Sequence, residues 1–342
     1  MGSFLRAIVP CVLAILLGAC AQPMAPKPEA ASLVWPAAPE ATRIAWVRSF
    51  SRPEDLGITP GLFQRFKNLL FGASEVRMVR PMAVAVLGNT VFVADPGAKG
   101  VHRFDTGNGD YQLIQADDGS PLPSPVGLAP CGKTLLISDS SRAQLFSFGS
   151  GDKGAHALAA DVKLQQPTGL ACDQATGRIF VSDTAAHQVL RFRLGAAGLG
   201  LEQSFGRRGA GNGEFNFPTY LWWDGEGRLY VSDALNFRIQ MFDAEGRSLG
   251  QFGRQGDGSG DAARQKGVAT DGRGHVYVVD ALFHAFQIFN TGGDFLLAVG
   301  ARGGDPGEFW LPAGIFIAGD MIYVADSYNS RVQVFRYAGA AP

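Results

Sequence analysis

Short apolar segments bounded by Gly, Pro, Asn and Asp follow one another along most of the chain. The segments are apolar at consecutive positions, as in Leu229-Tyr230-Val231, and turn residues such as Asp224-Gly225-Glu226-Gly227 separate them. Consecutive apolar positions over so short a stretch are typical of strands whose sheets are covered on both faces. Turn residues at this spacing predict antiparallel hairpins. The pattern therefore predicts an all-β protein whose sheets pack between neighbouring sheets.

The strands belong to a repeat that occurs six times. Each repeat contains a string of the type Val-Ser-Asp, and a Phe follows the aspartate by nine positions. The repeated aspartates are Asp95, Asp139, Asp183, Asp233, Asp280 and Asp326. Their spacing averages about 46 residues, the length of a four-stranded propeller unit. We predict a six-bladed β-propeller of four-stranded blades over residues 42–340, in which each repeated aspartate accepts backbone N–H bonds at a strand end.

The last repeat ends at Tyr337, one strand short of a complete blade. The segment Ile44–Phe50 alternates apolar and polar residues, and we expect residues 42–50 to supply the missing strand and close the ring. Residues 59–72 contain an apolar face at helical spacing, with Thr59 as a cap and Gly72 as an end signal. They predict one short helical insertion, which packs on the propeller, forms a lid over one channel mouth, or contacts a partner or a membrane.

Two repeats, Leu229–Phe242 and Ile322–Phe335, resemble the NHL repeat, as do the glycine-rich connectors that begin at Phe205-Gly206 and Val299-Gly300. The resemblance implies a six-bladed propeller lipoprotein of the NHL-repeat family. Related propellers include amidating lyases with zinc-binding histidines and calcium-dependent lactone hydrolases. In the lyases the histidines follow the proline that opens the innermost strand.

No histidine occupies these channel-facing positions in this sequence. A proline opens five of the six repeats, and Lys266 stands in its place in the fifth. The channel-facing residues are then predicted to be Met82, Val126, Thr168, Thr219, Gly267 and Ala313. We therefore expect no metal and no cofactor, and a binding scaffold in preference to an enzyme. The alternative is a metal-dependent lyase or lactone hydrolase centred on the channel.

Residues 1–19 contain one charged residue, Arg6, followed by a short apolar run, and this pattern predicts a signal peptide. The string Leu17-Gly18-Ala19-Cys20 resembles the lipobox of bacterial lipoproteins, which implies lipidation of Cys20. Ala21 at the following position implies the outer membrane, on its periplasmic side. Residues 20–41 are rich in Pro and Ala and are predicted to be an extended tether between the lipid anchor and the propeller.

The charge balance bears on the choice of partner. The chain contains 30 Lys and Arg against 31 Asp and Glu. Nucleic-acid binding usually needs a basic surface, so we expect no nucleic-acid partner. An envelope protein, a peptide or a glycan fits better, and the protein is expected to be monomeric.

The loops after each second strand and the connectors between blades are expected to share one face of the ring, which we call the top face. Arg and aromatic residues, which dominate binding hot spots, are frequent there. The candidate binding residues are Lys99, Arg142, His187, Arg207, Arg208, Asn236, Phe237, Phe283, His284, Tyr328 and Asn329. Alternatively, the arginines pair with the repeated aspartates. The hairpins of the opposite face are acidic, with Asp173 and Asp224 among them, and are expected to be solvated.

Cys131 and Cys172 lie close to the first hairpin turn of two adjacent repeats. An oxidising envelope compartment allows a disulfide between them, provided that their Cα atoms come within about 7 Å. The sequence leaves open whether they form this bond or remain free thiols.

Overall fold

A computed structural model describes residues 33–41, 43–59, 76–195 and 198–339. The chain enters with two strands, β1 (Val34–Trp35) and β2 (Ile44–Phe50), which belong to the last of six antiparallel sheets. The first blade contains β3 (Ala83–Leu87), β4 (Thr90–Asp95), β5 (Gly100–Asp105) and β6 (Asp110–Ile114). The second contains β7 (Pro125–Cys131), β8 (Thr134–Asp139), β9 (Gln144–Gly149) and β10 (His156–Leu158).

The remaining blades follow in order along the chain. The third contains β11 (Pro167–Asp173), β12 (Arg178–Asp183), β13 (Gln188–Gly195) and β14 (Gly198–Phe205). The fourth contains β15 (Pro218–Trp223), β16 (Leu229–Asp233), β17 (Arg238–Phe242) and β18 (Ser248–Phe252). The fifth contains β19 (Gln265–Thr270), β20 (His275–Asp280), β21 (Ala285–Asn290) and β22 (Phe295–Val299). The sixth contains β23 (Ile315–Ala318), β24 (Met321–Asp326) and β25 (Arg331–Tyr337), and β2 pairs with β25 as its fourth strand. The protein is thus an all-β, six-bladed propeller.

Aromatic residues fill the space between the blades. The repeated phenylalanine of every third strand is buried; the six residues are Phe104, Phe148, Phe192, Phe242, Phe289 and Phe335. Rings of one blade meet rings of the next, as in Phe286 and Phe335, whose centroids lie 5.4 Å apart at an edge-to-face angle. Such pairs add to the stabilisation from burial alone. The repeat therefore stabilises the ring by stacking each sheet against its neighbour.

The sixth sheet has five strands, because part of the predicted tether is folded. Val34 and Trp35 pair with Ala45 and Ile44, which extends the sheet beyond β2. The Trp35 ring packs edge-to-face on Phe335 with centroids 5.7 Å apart. The prediction of a tether through residue 41 was therefore wrong for its last part, since Trp35 finds an apolar partner on the propeller. Residues 1–32, with the predicted signal peptide and Cys20, lie outside the described residues.

The described residues contain no α-helix. Their only helical segments are the 3-10 turns Pro53–Leu56, Thr184–Ala186 and Ser327–Asn329. Most of the helical insertion predicted at residues 59–72 lies outside the described part of the chain, which leaves out residues 60–75. In the described ranges, no helix combines the length and the hydropathy that crossing a bilayer requires.

Cys131 and Cys172 form a disulfide between the second and third blades, with Cα atoms 5.5 Å apart. They stand at the ends of the innermost strands of these blades, β7 and β11, which lie side by side. The bond therefore links two neighbouring blades near the central channel.

Candidate functional site

The top face is held together by hydrogen bonds between connectors and second-strand loops. Within one blade the loop amide of Tyr328 donates to the carbonyl of Trp310 (3.1 Å), and the Leu235 amide donates to that of Asn216 (3.0 Å). The residue four positions after each repeated aspartate has positive φ in all six blades. These residues are Lys99, Ala143, His187, Phe237, His284 and Ser330. Each loop thus makes the same tight turn, so side chains at equivalent positions point in equivalent directions.

The repeated aspartates anchor this framework. All six are buried, and each accepts backbone N–H bonds from the connector that enters its own blade. Asp280, for example, accepts from the amides of Ala263 (2.8 Å) and Arg264 (2.9 Å). Burial raises the pKa of Asp326 even though hydrogen bonds from Trp310 and Asn329 favour its ionised form. The aspartates serve as structural acceptors at the strand ends.

A buried Tyr-His-Asp chain in the first blade belongs to the same framework. His102 Nε2 lies 3.3 Å from Asp95 Oδ2, and its Nδ1 lies 2.8 Å from the Tyr111 hydroxyl. In the fourth blade Gln240 holds the equivalent position and donates to the repeated aspartate Asp233 at 3.1 Å. His102 is 2 % exposed, so no solute reaches the ring. This Tyr-His-Asp series has the residue types of a catalytic arrangement, but it serves as a buried structural network.

Several predicted binding residues are engaged in bracing the loops. Asn236 donates to Asp233 and Gly209, and Asn329 makes the equivalent pair of bonds in the sixth blade. Arg207 forms an ion pair with Glu214 at 2.8 Å, so it does not pair with a repeated aspartate. Arg142 donates to Ser120 and to the Pro121 carbonyl. Arg238 and Arg331 are the arginines that reach repeated aspartates.

His187 and His284 hold the connector of the next blade. His187 Nδ1 accepts from the amide of Phe217, and His284 Nδ1 accepts from the amide of Leu311, both at 3.2 Å. Burial lowers the pKa of His284, and Arg302 lowers it further. A neutral ring with an unprotonated Nδ1 is what this bond requires. The accepting nitrogens of both histidines thus serve the fold, and a role for these residues in binding stays a prediction.

The channel opens at the top face through a cavity of about 430 Å³, which we call the upper mouth. Its lining comes from the first, second, fifth and sixth blades and includes Arg80, Met82, Val126, Arg264, Lys266 and Tyr328. None of its lining residues, among those the structure describes, is an Asp or a Glu. Of the predicted binding residues, Tyr328 is the one that lines this cavity. Lys99 and Arg208 are exposed elsewhere on the top face, and Phe237 and Phe283 are half-buried.

Lys266 reaches the mouth because of the strand register of the fifth blade. Gln265 pairs with Asp280, just as Pro218 pairs with Asp233. Lys266 is therefore the channel-facing residue, and the prediction of Gly267 at this position was wrong. A Cβ on Gly267 would lie 2.7 Å from the backbone nitrogen of Ile315, so glycine there permits the close approach of the sixth blade.

Large apolar side chains are exposed in the loops and connectors of the top face, and two of them, Leu282 and Tyr328, line the upper mouth. We call them the apolar rim; its members are Val79, Phe217, Leu235, Leu282, Trp310 and Tyr328. Leu282 and Tyr328 are more than half exposed. The rings of Trp310 and Tyr328 lie 6.0 Å apart. All six stand in connectors or second-strand loops, and most belong to the fourth, fifth and sixth blades. Alternation along the strands could not reveal them, since they lie in loops.

Tyr220 crosses the axis below the mouth. Its hydroxyl donates to the carbonyl of Met82 (3.0 Å), on the blade opposite its own. Burial raises the pKa of this hydroxyl, which keeps it protonated as a donor. Beneath it lies a second cavity of about 470 Å³, the lower chamber, lined by apolar residues such as Trp222, Trp223 and Phe316.

Two acidic residues of the opposite face, Asp173 and Asp224, are buried and not solvated as predicted, whereas Glu226 and Asp320 are exposed. Asp173 and Asp224 are 6 % and 5 % exposed, and both line the chamber. Asp224 accepts from Arg228 Nε at 2.8 Å, and Asp173 accepts from the amide of Ala175 at 3.0 Å. Both carboxylates are thus occupied by the hairpins that they stabilise.

No cluster of three or more His, Cys, Asp or Glu side chains arranged to hold a metal ion occurs within residues 33–41, 43–59, 76–195 and 198–339. The histidines of the third and fifth blades, the pair that shares a loop position, are engaged with backbone amides as described above.

Solved structures share the fold. Virginiamycin B lyase from Staphylococcus aureus is 12% identical, with 75% of this chain and 95% of that chain covered and a TM-score of 0.54. A gluconolactonase from Xanthomonas campestris is 17% identical over 76% and 86% of the two chains, with a TM-score of 0.57. An auxiliary nutrient binding protein from Bacteroides thetaiotaomicron is 13% identical over 78% and 71%, with a TM-score of 0.60. Identities this low establish the fold alone.

The sequence comparison is more specific to the repeat. A search of curated proteins finds no match. The profile of the NHL repeat matches residues 309–335, which run from the last connector through β23 and β24 into β25. Together with the six blades of the ring, this match supports an NHL-repeat propeller: the sixth blade carries a recognisable NHL repeat within a six-bladed β-propeller.

Proposed function

We propose that this protein is a cell-envelope binding module that holds a protein or peptide partner on its top face. The apolar rim is the observation that carries the proposal. Contiguous apolar surface exposed on one face usually marks a binding site, and within the rim the Trp310 and Tyr328 rings lie 6.0 Å apart. Trp and Tyr, both present in the rim, are among the residues that contribute most binding energy at interfaces.

The composition of the rim favours a polypeptide over a glycan. Leu282, Leu235 and Val79 offer aliphatic surface with no hydrogen-bonding group, whereas a glycan needs many polar contacts. The cationic upper mouth, which Leu282 and Tyr328 of the rim line, adds a place for an acidic group of the partner. Scaffold binding requires no catalytic group, which agrees with the structural roles of the buried aspartates and histidines.

Cross-linking in intact cells tests the proposal. The variant Leu282→Ala/Trp310→Ala/Tyr328→Ala removes half of the rim and should bind its partner at least about 30-fold more weakly, since one hot-spot residue alone contributes that much. Its matched control, Leu194→Ala/Leu249→Ala/Leu296→Ala, removes exposed leucines of the third and fourth strands. Loss of the cross-linked adducts in the rim variant and their persistence in the control is the expected result. Equal yields of adducts in both variants would contradict the proposal that the top face binds the partner.

Export and anchoring are part of the same proposal. The lipobox resemblance supports attachment through Cys20 to the outer membrane, on its periplasmic side, and two or more acyl chains suffice for stable anchoring. The variant Cys20→Ala should leave the membrane fraction while its signal peptide is still removed. A processed Cys20→Ala protein that still required detergent for extraction would argue against the lipid anchor.

A further inference from the structure

We infer that the upper mouth is a binding site for a carboxylate group and that Lys266 is its counter-ion. The inference rests on the proposed function, because it assigns a ligand chemistry to the centre of the top face. The carboxylate comes either from an acidic chain end of a peptide or from a free organic acid, and the experiment below separates these sources.

The environment of Lys266 lacks a compensating negative charge. Its ammonium makes no hydrogen bond or ion pair with any of the described residues. Burial lowers its pKa, and the neighbouring Arg264 guanidinium lowers it further. Arg80 and Arg264 also line the cavity, but both are exposed. Lys266 is thus the half-buried cation of a recess whose described lining has no carboxylate.

An uncompensated cation in a recess is costly, and an anion reduces that cost. Removing an ammonium group from water is unfavourable unless it is paired and hydrogen-bonded. Arg238 and Arg331, in contrast, sit directly beside Asp233 and Asp326. Lys266 therefore offers a half-buried ammonium with no protein counter-ion among the described residues, which a ligand carboxylate can reach from the mouth.

The walls of the recess favour a carboxylate on an apolar body. Met82, Val126 and Ala313 line the cavity beside Lys266, and Leu282 and Tyr328 line it toward solvent. A dianionic phosphate prefers several convergent donors, whereas one ammonium matches a single carboxylate. The Tyr220–Met82 hydrogen bond crosses the axis beneath the site, and in the described part of the chain the upper mouth and the lower chamber share no lining residue. A ligand of Lys266 therefore enters from the top face.

A fluorescence-anisotropy titration of the full-length protein in detergent tests the assignment. The probes are a fluorescein-labelled Gly-Leu-Phe tripeptide with a free C-terminal carboxylate and the same tripeptide as its C-terminal amide. Wild-type protein should bind the acid at least about tenfold more tightly than the amide. The variant Lys266→Met should lose this discrimination. The control Lys163→Met, which removes an exposed lysine in a connector outside the cavity, should keep it.

Competition then separates the two sources. Displacement of the tripeptide acid by 4-phenylbutyrate supports a free organic acid as the natural ligand, and failure to displace it supports a peptide chain end. Inorganic phosphate that displaces the probe as well as a carboxylate does would overturn the assignment. Equal affinity for acid and amide would also overturn it, as would an unchanged Lys266→Met variant.

A measurement on wild-type protein covers the case in which Lys266→Met fails to fold. Acylation of lysines, followed by mass spectrometry, should show that the tripeptide acid protects Lys266 and leaves Lys163 unprotected. Protection of neither lysine contradicts the inference. The proposed function is tested separately, by the adducts of the rim variant, so that either proposal can fail without the other.

Discussion

At the scale of single residues, each blade buries one carboxylate where its second strand ends. The carboxylate is satisfied by amides of the connector, and in two blades also by the guanidinium of an arginine on the third strand. The sequence predicts this role, because a residue type that recurs in every repeat contributes to what all repeats share. It does not predict the role of His284, whose partner is a backbone amide from the next blade.

The ion pair of the fourth blade gives a prediction about stability. Asp233 and Arg238 are almost fully buried, so Asp233→Ala leaves an uncompensated charge. We expect it to lower the free energy of unfolding by about 3–5 kcal/mol. Asp243→Ala, which breaks a pair with the largely exposed Arg247, should cost about 1 kcal/mol or less. Urea denaturation of the two variants measures the difference; equal losses would mean that burial of the pair is unimportant.

The lowered pKa of His284 gives a prediction about pH. The unfolded chain binds the proton more tightly than the folded protein, so this group destabilises the fold as the pH falls below the ordinary histidine value, about 6.5. The stabilising contribution of the neutral His284 ring is fully present above about pH 6.5. His284→Asn retains an acceptor that does not titrate and should weaken the decline in denaturation midpoint between about pH 8 and pH 5.

The exposed His156 provides a control of opposite sign. Its pKa is raised, chiefly by its hydrogen bond to Asp117. The stabilisation it provides is therefore present at low pH and lost as the pH rises, so His156→Asn should not flatten the acid decline. A decline that is as steep in His284→Asn as in wild type would exclude His284 as its origin.

At the scale of elements, register decides which side chain reaches the channel. The first strands of the third, fourth and fifth blades contain an irregularity after their first residue. The distance from that residue to the repeated aspartate also varies between blades. Counting residues from the repeated aspartate therefore locates each repeat correctly. It can still assign the wrong residue to the channel, as it did with Gly267 in place of Lys266. The strand pairing resolves this ambiguity.

The closing strand gives a prediction at this scale. β2 covers the edge of β25 through a ladder from Ile44–Tyr337 to Phe50–Val332. A chain that begins at Ser51 lacks this strand and exposes an unpaired edge, which favours aggregation. We expect it to be recovered mostly as aggregate, whereas a chain that begins at Leu33 should remain monodisperse in size-exclusion chromatography. A soluble chain from Ser51 with unchanged thermal stability would contradict closure by β2.

At the scale of the whole molecule, the ring and its blade number follow from the repeat, whereas the surface does not. The repeat contains the residues that every blade requires for folding, whereas the positions of Trp310 and Leu282 carry different residue types in different blades. Their exposure depends on how six loops are arranged around one axis. Tyr220 likewise acts across the ring, on a carbonyl far away in the sequence. Neither relation leaves a local pattern in the sequence.

The disulfide gives a prediction for the molecule as a whole. It closes a loop between residues 41 positions apart, which by loop entropy stabilises the fold by about 4 kcal/mol. The double variant Cys131→Ser/Cys172→Ser should lose up to this amount in guanidinium denaturation, and added reductant should affect wild type alone. Two titratable thiols in freshly purified, unreduced protein would show that the bond is absent in solution.

The five-stranded sixth sheet has a mechanical consequence. β2, which closes the ring, and β1, which pairs with β2, are also the first strands of the part of the chain that the structure describes. A pull transmitted along the upstream chain therefore acts on the short β1 ladder and then on β2, before it strains any complete blade. If the protein is tethered at that end, tension would open the sixth blade first. The strand that closes the ring, β2, is then also among the first elements to be pulled away under tension.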